Sequence, residues 1–193
     1  AAMDAGMDVH GAVPDDHVWA PASFDLEQLQ DLGVTVHTFK LSRRGINPVA
    51  EILSFIAIRR LLWQLKPDLL HLLTIKPVIY GGMAARLCRL PAVVFAVTGL
   101  GQAFSVTGLR SRILRLGIVA AYRLATGHRN CRVIVQNRDD QRQLVETGAV
   151  QSGQIELIKG SGVSLTEFTP QPEPDERPLV ILPARLIWEK GVQ

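Results

Sequence analysis

What most restricts the fold of this chain is a rhythm. Short apolar runs recur along it, each separated from the next by a stretch long enough for a helix. The runs at 69–73 (Leu-Leu-His-Leu-Leu), 93–97 (Val-Val-Phe-Ala-Val), 132–136 (Arg-Val-Ile-Val-Gln) and 155–158 (Ile-Glu-Leu-Ile) have strand length, and such composition suits strands buried in a parallel sheet. Residues 34–39, Val-Thr-Val-His-Thr-Phe, alternate and are rich in β-branched side chains, which marks another strand. Residues 7–13 alternate enough to add one more. Helices are expected over 24–32, 48–66 and 109–126, over 138–147, and in a small-residue stretch that follows 74–82 and ends near 89. Strand and helix in steady alternation predict an α/β fold, a doubly wound parallel sheet with right-handed crossovers.

Local signals set the boundaries. Ser23 and Asn47 stand where N-caps belong, with Pro48 at the first helical position. Gly6, Gly33 and Gly148 stand where helices stop. Residues 1–6 read as the end of a helix, whereas a doubly wound domain opens on a strand near the middle of its sheet. The first strand is therefore expected to be missing. Four prolines, at 170, 172, 174 and 178, mark a linker. The expected organisation is a Rossmann-like domain over 1–168, incomplete at its start, a linker over 169–178, and the first strand of a second Rossmann-like domain over 179–193.

That last segment carries Ala184-Arg185-Leu186-Ile187-Trp188-Glu189-Lys190-Gly191 directly after an apolar run closed by Pro183. Ligands of open α/β sheets bind outside the carboxyl ends of the strands. An arginine fork and a lysine point charge at such an end make a diphosphate clamp. The same spacing fits a surface loop in which Arg185 and Lys190 pair with Glu189 or with water. Thr98-Gly99-Leu100-Gly101 leaves backbone N–H groups at another strand end, a geometry for an anion or a sugar, although a tight turn has the same pattern. Lys76 follows Thr74 at a third strand end, where a cation can meet a phosphate or simply face solvent.

These residues resemble the retaining glycosyltransferases of family 4, which have the two-domain GT-B fold. The resemblance rests on Arg185, Leu186, Glu189, Lys190 and Gly191, on Asp68-Leu69-Leu70-His71 with Thr74, on Gly160-Ser161-Gly162-Val163 with Phe168, and on the strand at 132–136 followed by Asn137. Leu73 replaces a second histidine of the family pattern, Ser164 an aspartate, and Thr98 a histidine found in many relatives. The resemblance implies transfer of a sugar from a nucleoside diphosphate sugar, a UDP-sugar being expected, to an acceptor, with the anomeric configuration retained. It implies a hexosyl or N-acetylhexosaminyl transferase. Arg185 and Lys190 would stabilise the departing diphosphate, and Thr74, Lys76, Thr98, Gly99, Gly101 and Asn137 would bind substrate. No metal and no cofactor beyond the donor are expected, and this piece alone is expected to be inactive. A nucleotide-sugar 2-epimerase on the same fold and a basic nucleic-acid-binding module are the alternatives.

Charge narrows the partners. Residues 1–39 hold seven acids and no Lys or Arg, whereas residues 40–138 hold sixteen Lys or Arg against two acids, Glu51 and Asp68. So basic a segment asks for phosphates, nucleic acid or an anionic membrane. Aromatic residues make up only 6% of the chain, which is poor for base stacking, so no nucleic acid is expected. The family resemblance implies as acceptor a glycan or lipid-linked intermediate of bacterial cell-surface polysaccharide synthesis. The expected location is the cytoplasm, peripheral at the inner face of the membrane, with Arg112, Arg115 and Arg123 of the 109–126 helix on the attracting face. Cys88 and Cys131 lack metal spacing and a disulfide framework is not expected. His10 and His37 read as core or edge residues, His71 as a hydrogen-bonded structural one, and His128 as a cation at a helix end.

Overall fold

The structure, a computed structural model, describes residues 2–15, 26–41, 47–100, 109–160, 162–170, 172 and 182. The expected strand at 179–182, apart from Leu182, and the cap at Ser23 lie outside the described residues. Residues Ala1–Gly160 and Ser161–Gln193 form separate compact units, and the first contains all the elements described here.

The strands are β1 (His10–Pro14), β2 (Thr35–Phe39), β3 (Leu69–Leu73), β4 (Ala92–Val97), β5 (Cys131–Val135) and β6 (Ile155–Leu157). The helices are α1 (Leu26–Asp31), α2 (Pro48–Leu65), α3 (Ile75–Cys88), α4 (Leu109–Thr126) and α5 (Arg138–Glu146). All the strand pairs among the described residues are parallel, as the alternation requires. The first strand is shorter than the 7–13 expected. Its pairing with β2 begins only at His10, opposite Thr35, and closes at Pro14, opposite Phe39, where a proline at the strand end forfeits little.

Helix ends follow the local chemistry. The Asn47 side chain accepts from the Val49 and Ala50 N–H groups, and Pro48 occupies the first turn of α2. Gly6, Gly33 and Gly148 all have positive φ. One boundary differs from expectation. The sequence reading starts this helix after Gly82, but α3 begins immediately after Thr74 and takes Pro77 into its first turn, where its missing N–H has no intrahelical partner to lose.

The sheet is in two pieces, β1-β2 and β3-β4-β5-β6. In the larger piece each of α3, α4 and α5 joins a strand to the next in the same direction, so right-handed crossovers set all three on one face. Burial follows that rule. Val93, Phe95, Val97, Val133 and Val135 are buried beneath the helices, while the alternate positions Arg132 and Glu156 are exposed on the other face, their side chains 3.9 Å apart.

Close packing of α3 on α4 completes the core. A Cβ on Gly82 would stand 2.7 Å from both Ala125 Cβ and Phe95 Cε1, so the glycine is what lets the two helices approach. The α2 helix packs on α3 through a face with buried Ser54, Ile58 and Leu62. Ile52, Ile56 and Trp63, which share the helical spacing expected of a core stripe, are more than half exposed. Periodicity selects no face here because α2 is apolar nearly all round.

His128, at the end of α4, is tied into the fold, with its Nδ1 3.0 Å from the Asn130 carbonyl. It is buried, its Nε2 lies 2.9 Å from the Leu90 carbonyl, and Asn130 N–H donates to its Nδ1. It latches the α3–β4 turn to the α4–β5 turn. His10 and His37 stack on the small sheet with ring nitrogens 2.9 Å apart, and His71 is exposed on the open face of β3. Both cysteines are free.

Candidate functional site

Because β3, β4 and β5 are parallel neighbours, their carboxyl ends share one edge, with adjacent strands roughly 5 Å apart. Thr74 follows β3, Thr98 and Gly99 follow β4, and Asn137 lies two residues beyond β5. Four of the sequence-predicted residues are thus brought to one rim, and Thr74, Thr98 and Asn137 are exposed there. Gly101, Arg185 and Lys190 lie outside the described residues.

Thr74 is the unusual member. Its backbone sits at φ 67 and ψ 161, outside the small left-handed basin that non-glycine residues visit, and it is β-branched. Such a conformation costs on the order of 1–3 kcal/mol and concentrates at functional sites. The geometry turns the chain from strand into helix within a single residue. Its side chain is exposed and makes no capping hydrogen bond to α3.

Asn137 has a structural duty as well. Its Oδ1 accepts from the Asp140 N–H and its Nδ2 donates to Asp140 Oδ2, both at 2.8 Å, which caps α5. A cap at the start of a helix on the crevice rim orients the first-turn N–H groups toward that rim.

Lys76 is engaged elsewhere. Its Nζ lies 2.6 Å from Glu51 Oε1, and the Tyr80 hydroxyl donates to Glu51 Oε2. The three residues join α2 to the first turns of α3. Burial opposes ionisation of Glu51, but hydrogen bonds from Lys76 and Tyr80 and the lysine's charge outweigh it, holding the carboxyl below its ordinary range. Burial first, and then the Glu51 hydrogen bond and charge, push the Tyr80 hydroxyl up to about 12, so it remains a donor across ordinary pH. Sequence reasoning passed over Glu51 and Tyr80. The available signal was Glu51 itself, one of two acids in a segment with sixteen cations, a setting in which a carboxylate finds a partner.

The basic face expected on α4 is partly committed to the fold. The Arg123 guanidinium donates to the Thr147 and Gly148 carbonyls at the end of α5, a cation at a helix C-terminus. Arg86 similarly reaches the Leu124 carbonyl at 2.6 Å. Among the described residues no group of three or more His, Cys, Asp or Glu could hold a metal ion, and no helix is long and apolar enough to cross a membrane.

The chain is similar to an N,N'-diacetylbacillosaminyl-diphospho-undecaprenol alpha-1,3-N-acetylgalactosaminyltransferase of Campylobacter jejuni subsp. jejuni serotype O:2. The two are 27% identical over 182 residues, covering 86% of this chain and 47% of the relative. The chain therefore spans about half the length of that curated relative. The profile of one family, described as Glycosyl transferase 4-like, matches residues 3–138 and so includes every element from β1 through β5. A parallel α/β unit with strand ends opening on a common rim, matched over most of its length by that profile, belongs to the glycosyltransferase 4-like family.

Proposed function

We propose that this chain forms the acceptor side of an enzyme that moves a hexose or N-acetylhexosamine from a UDP-sugar to a saccharide carried on polyprenyl diphosphate, with retention of configuration. The observation that carries the reading is the rim shared by Thr74, Thr98, Gly99 and Asn137, in a chain whose relative is named for transfer to a diphospho-undecaprenol-linked sugar. Hydroxyls, backbone N–H groups and an amide at converging strand ends suit the many hydroxyls of a saccharide. Catalysis in such a site is largely placement and stabilisation of charge. Arg185 and Lys190, in this reading, hold the diphosphate that departs from the donor. The acceptor resides at a membrane, and the surplus of cations in residues 40–138 favours peripheral attachment to anionic lipid at roughly 1 kcal/mol per nearby Lys or Arg.

The test is incubation of the complete protein with radiolabelled UDP-N-acetylhexosamines and polyprenyl diphosphate-linked saccharides, with the product's linkage determined. Transfer with retained configuration is expected. Absence of transfer alongside epimerisation of the free UDP-sugar would replace this reading with a 2-epimerase.

A further inference from the structure

Thr74 makes its turn with no capping bond from its own side chain, so its surroundings must keep the backbone in so costly a region. On one side the strand does this, because residues Leu69 to Leu73 of β3 pair in register with Ala92 to Ala96 of β4. On the other side stands α3, whose Val78 N–H donates to the Thr74 carbonyl at 3.0 Å. The turn keeps its form only while the start of α3 keeps its place and its direction. Val78 is fully buried there, but apolar burial is non-directional and leaves a helix free to slide or rotate slightly.

Direction comes from Glu51. It stands in the first turn of α2, which Asn47 caps, and its side chain is only 16% exposed. Oε1 lies 2.6 Å from Lys76 Nζ, and Oε2 accepts from the Tyr80 hydroxyl. Lys76 and Tyr80 are four residues apart, so they share one face of α3 in successive turns. Two bonds from one carboxylate to two turns of a helix define both its rotation and its position along the axis. A partly buried ion pair is a poor source of net stability, since desolvation cancels much of its attraction. Farther along α2, buried Ile58 and Leu62 lie on the face packed against α3 without that cost. The charged clamp stands at the end of α3 that adjoins Thr74, where direction matters.

We propose that Glu51 is a positioning residue, which clamps the first two turns of α3, holds Thr74 in its strained turn and so keeps the rim in the shape that receives the acceptor. It acts through Lys76 and Tyr80 and touches no substrate itself. The consequence for sugar transfer rests on the function proposed above, whereas the holding of the turn does not.

The experiment is amide hydrogen exchange on the complete protein, resolved by peptide, for the wild type, Glu51→Gln and Tyr80→Phe, followed by KM measurements on the same proteins. Glu51→Gln should speed exchange over residues 74–80 at least tenfold more than over residues 131–135 of β5. Tyr80→Phe keeps the ion pair and should give a smaller increase over the same residues; it carries the comparison should Glu51→Gln fail to fold. With a synthetic farnesyl diphosphate-linked saccharide and a UDP-N-acetylhexosamine, Glu51→Gln should raise the acceptor KM at least fivefold and leave the donor KM unchanged. A merely structural role speeds exchange equally in α3, β4 and β5 and splits no KM values, and that result would overturn the proposal. Local loosening at 74–80 with an unchanged acceptor KM would overturn it too. A wild type that transfers no sugar removes the transferase reading by itself, and the exchange pattern still decides whether Glu51 holds the turn.

Discussion

Two glycines in neighbouring helices should respond to the same substitution with opposite signs. In Gly82→Ala the new methyl stands 2.7 Å from Ala125 Cβ, 2.7 Å from Phe95 Cε1 and 3.1 Å from Ala125 Cα. Neither neighbour can yield easily, because both residues are completely buried and one contact is backbone. Overpacking of this kind costs about 1–3 kcal/mol, and the lengthened contact between α3 and α4 puts it at the upper end. The gain in helix propensity, about 1 kcal/mol, offsets only part. The expected net loss is about 1–2 kcal/mol. Gly117→Ala collects the same propensity gain with nothing among the described residues within 4 Å of its methyl, so it should gain about 1 kcal/mol. Urea unfolding of the complete protein, followed by circular dichroism, gives the midpoints for the transition of this domain. Gly82→Ala should move the midpoint down and Gly117→Ala should move it up. A Gly82→Ala protein at least as stable as wild type would refute the account of the α3–α4 approach. A destabilised Gly117→Ala would refute the reading of this position as open.

Four further outcomes are expected. Glu51→Gln should cost about 1–2 kcal/mol at pH 7. Since the folded carboxyl titrates below its ordinary 4.5, its contribution is complete above that value and is lost as pH falls through the folded one. Variant and wild type should therefore converge in acid, and a pH-independent difference would exclude the charge as its source. Tyr122→Phe should raise stability by about 1 kcal/mol, because the Tyr122 hydroxyl is buried and has no hydrogen-bond partner among the described residues; a clear loss on denaturation would argue for a bound water. Thr74→Gly should relieve backbone strain by about 1 kcal/mol net and lower turnover, so a drop in melting temperature would mean the turn is not strained. Arg185→Ala or Lys190→Ala should slow transfer on the order of 100-fold, the scale of one lost oxyanion donor, and near-normal kcat in either variant would remove it from the clamp.

Strand and helix identity was legible in the chain because it depends on near neighbours. The apolar runs gave β3, β4, β5 and β6 to within a residue or two, and Asn47, Pro48 and Gly148 marked helix boundaries by hydrogen bonds and φ values that are local properties. Parallel pairing followed from the alternation of strand and helix, and the hand of the crossovers from chirality. The charge map and the family resemblance were likewise present in one dimension. The start of α3 was misread, since a proline in a first turn and the same proline in a loop look alike until the helix is built.

Contacts between distant residues were decided only in three dimensions. Nothing near Glu51 in sequence announces Lys76 and Tyr80, which reach it across 25 and 29 residues. His128 became a buried latch because a carbonyl 38 residues away lies against it. The outward stripe of α2 and the vacancy beside Gly117 depend on which neighbour each helix meets. In an apolar helix many faces can pack equally well, and only the sheet and the adjoining helices choose among them.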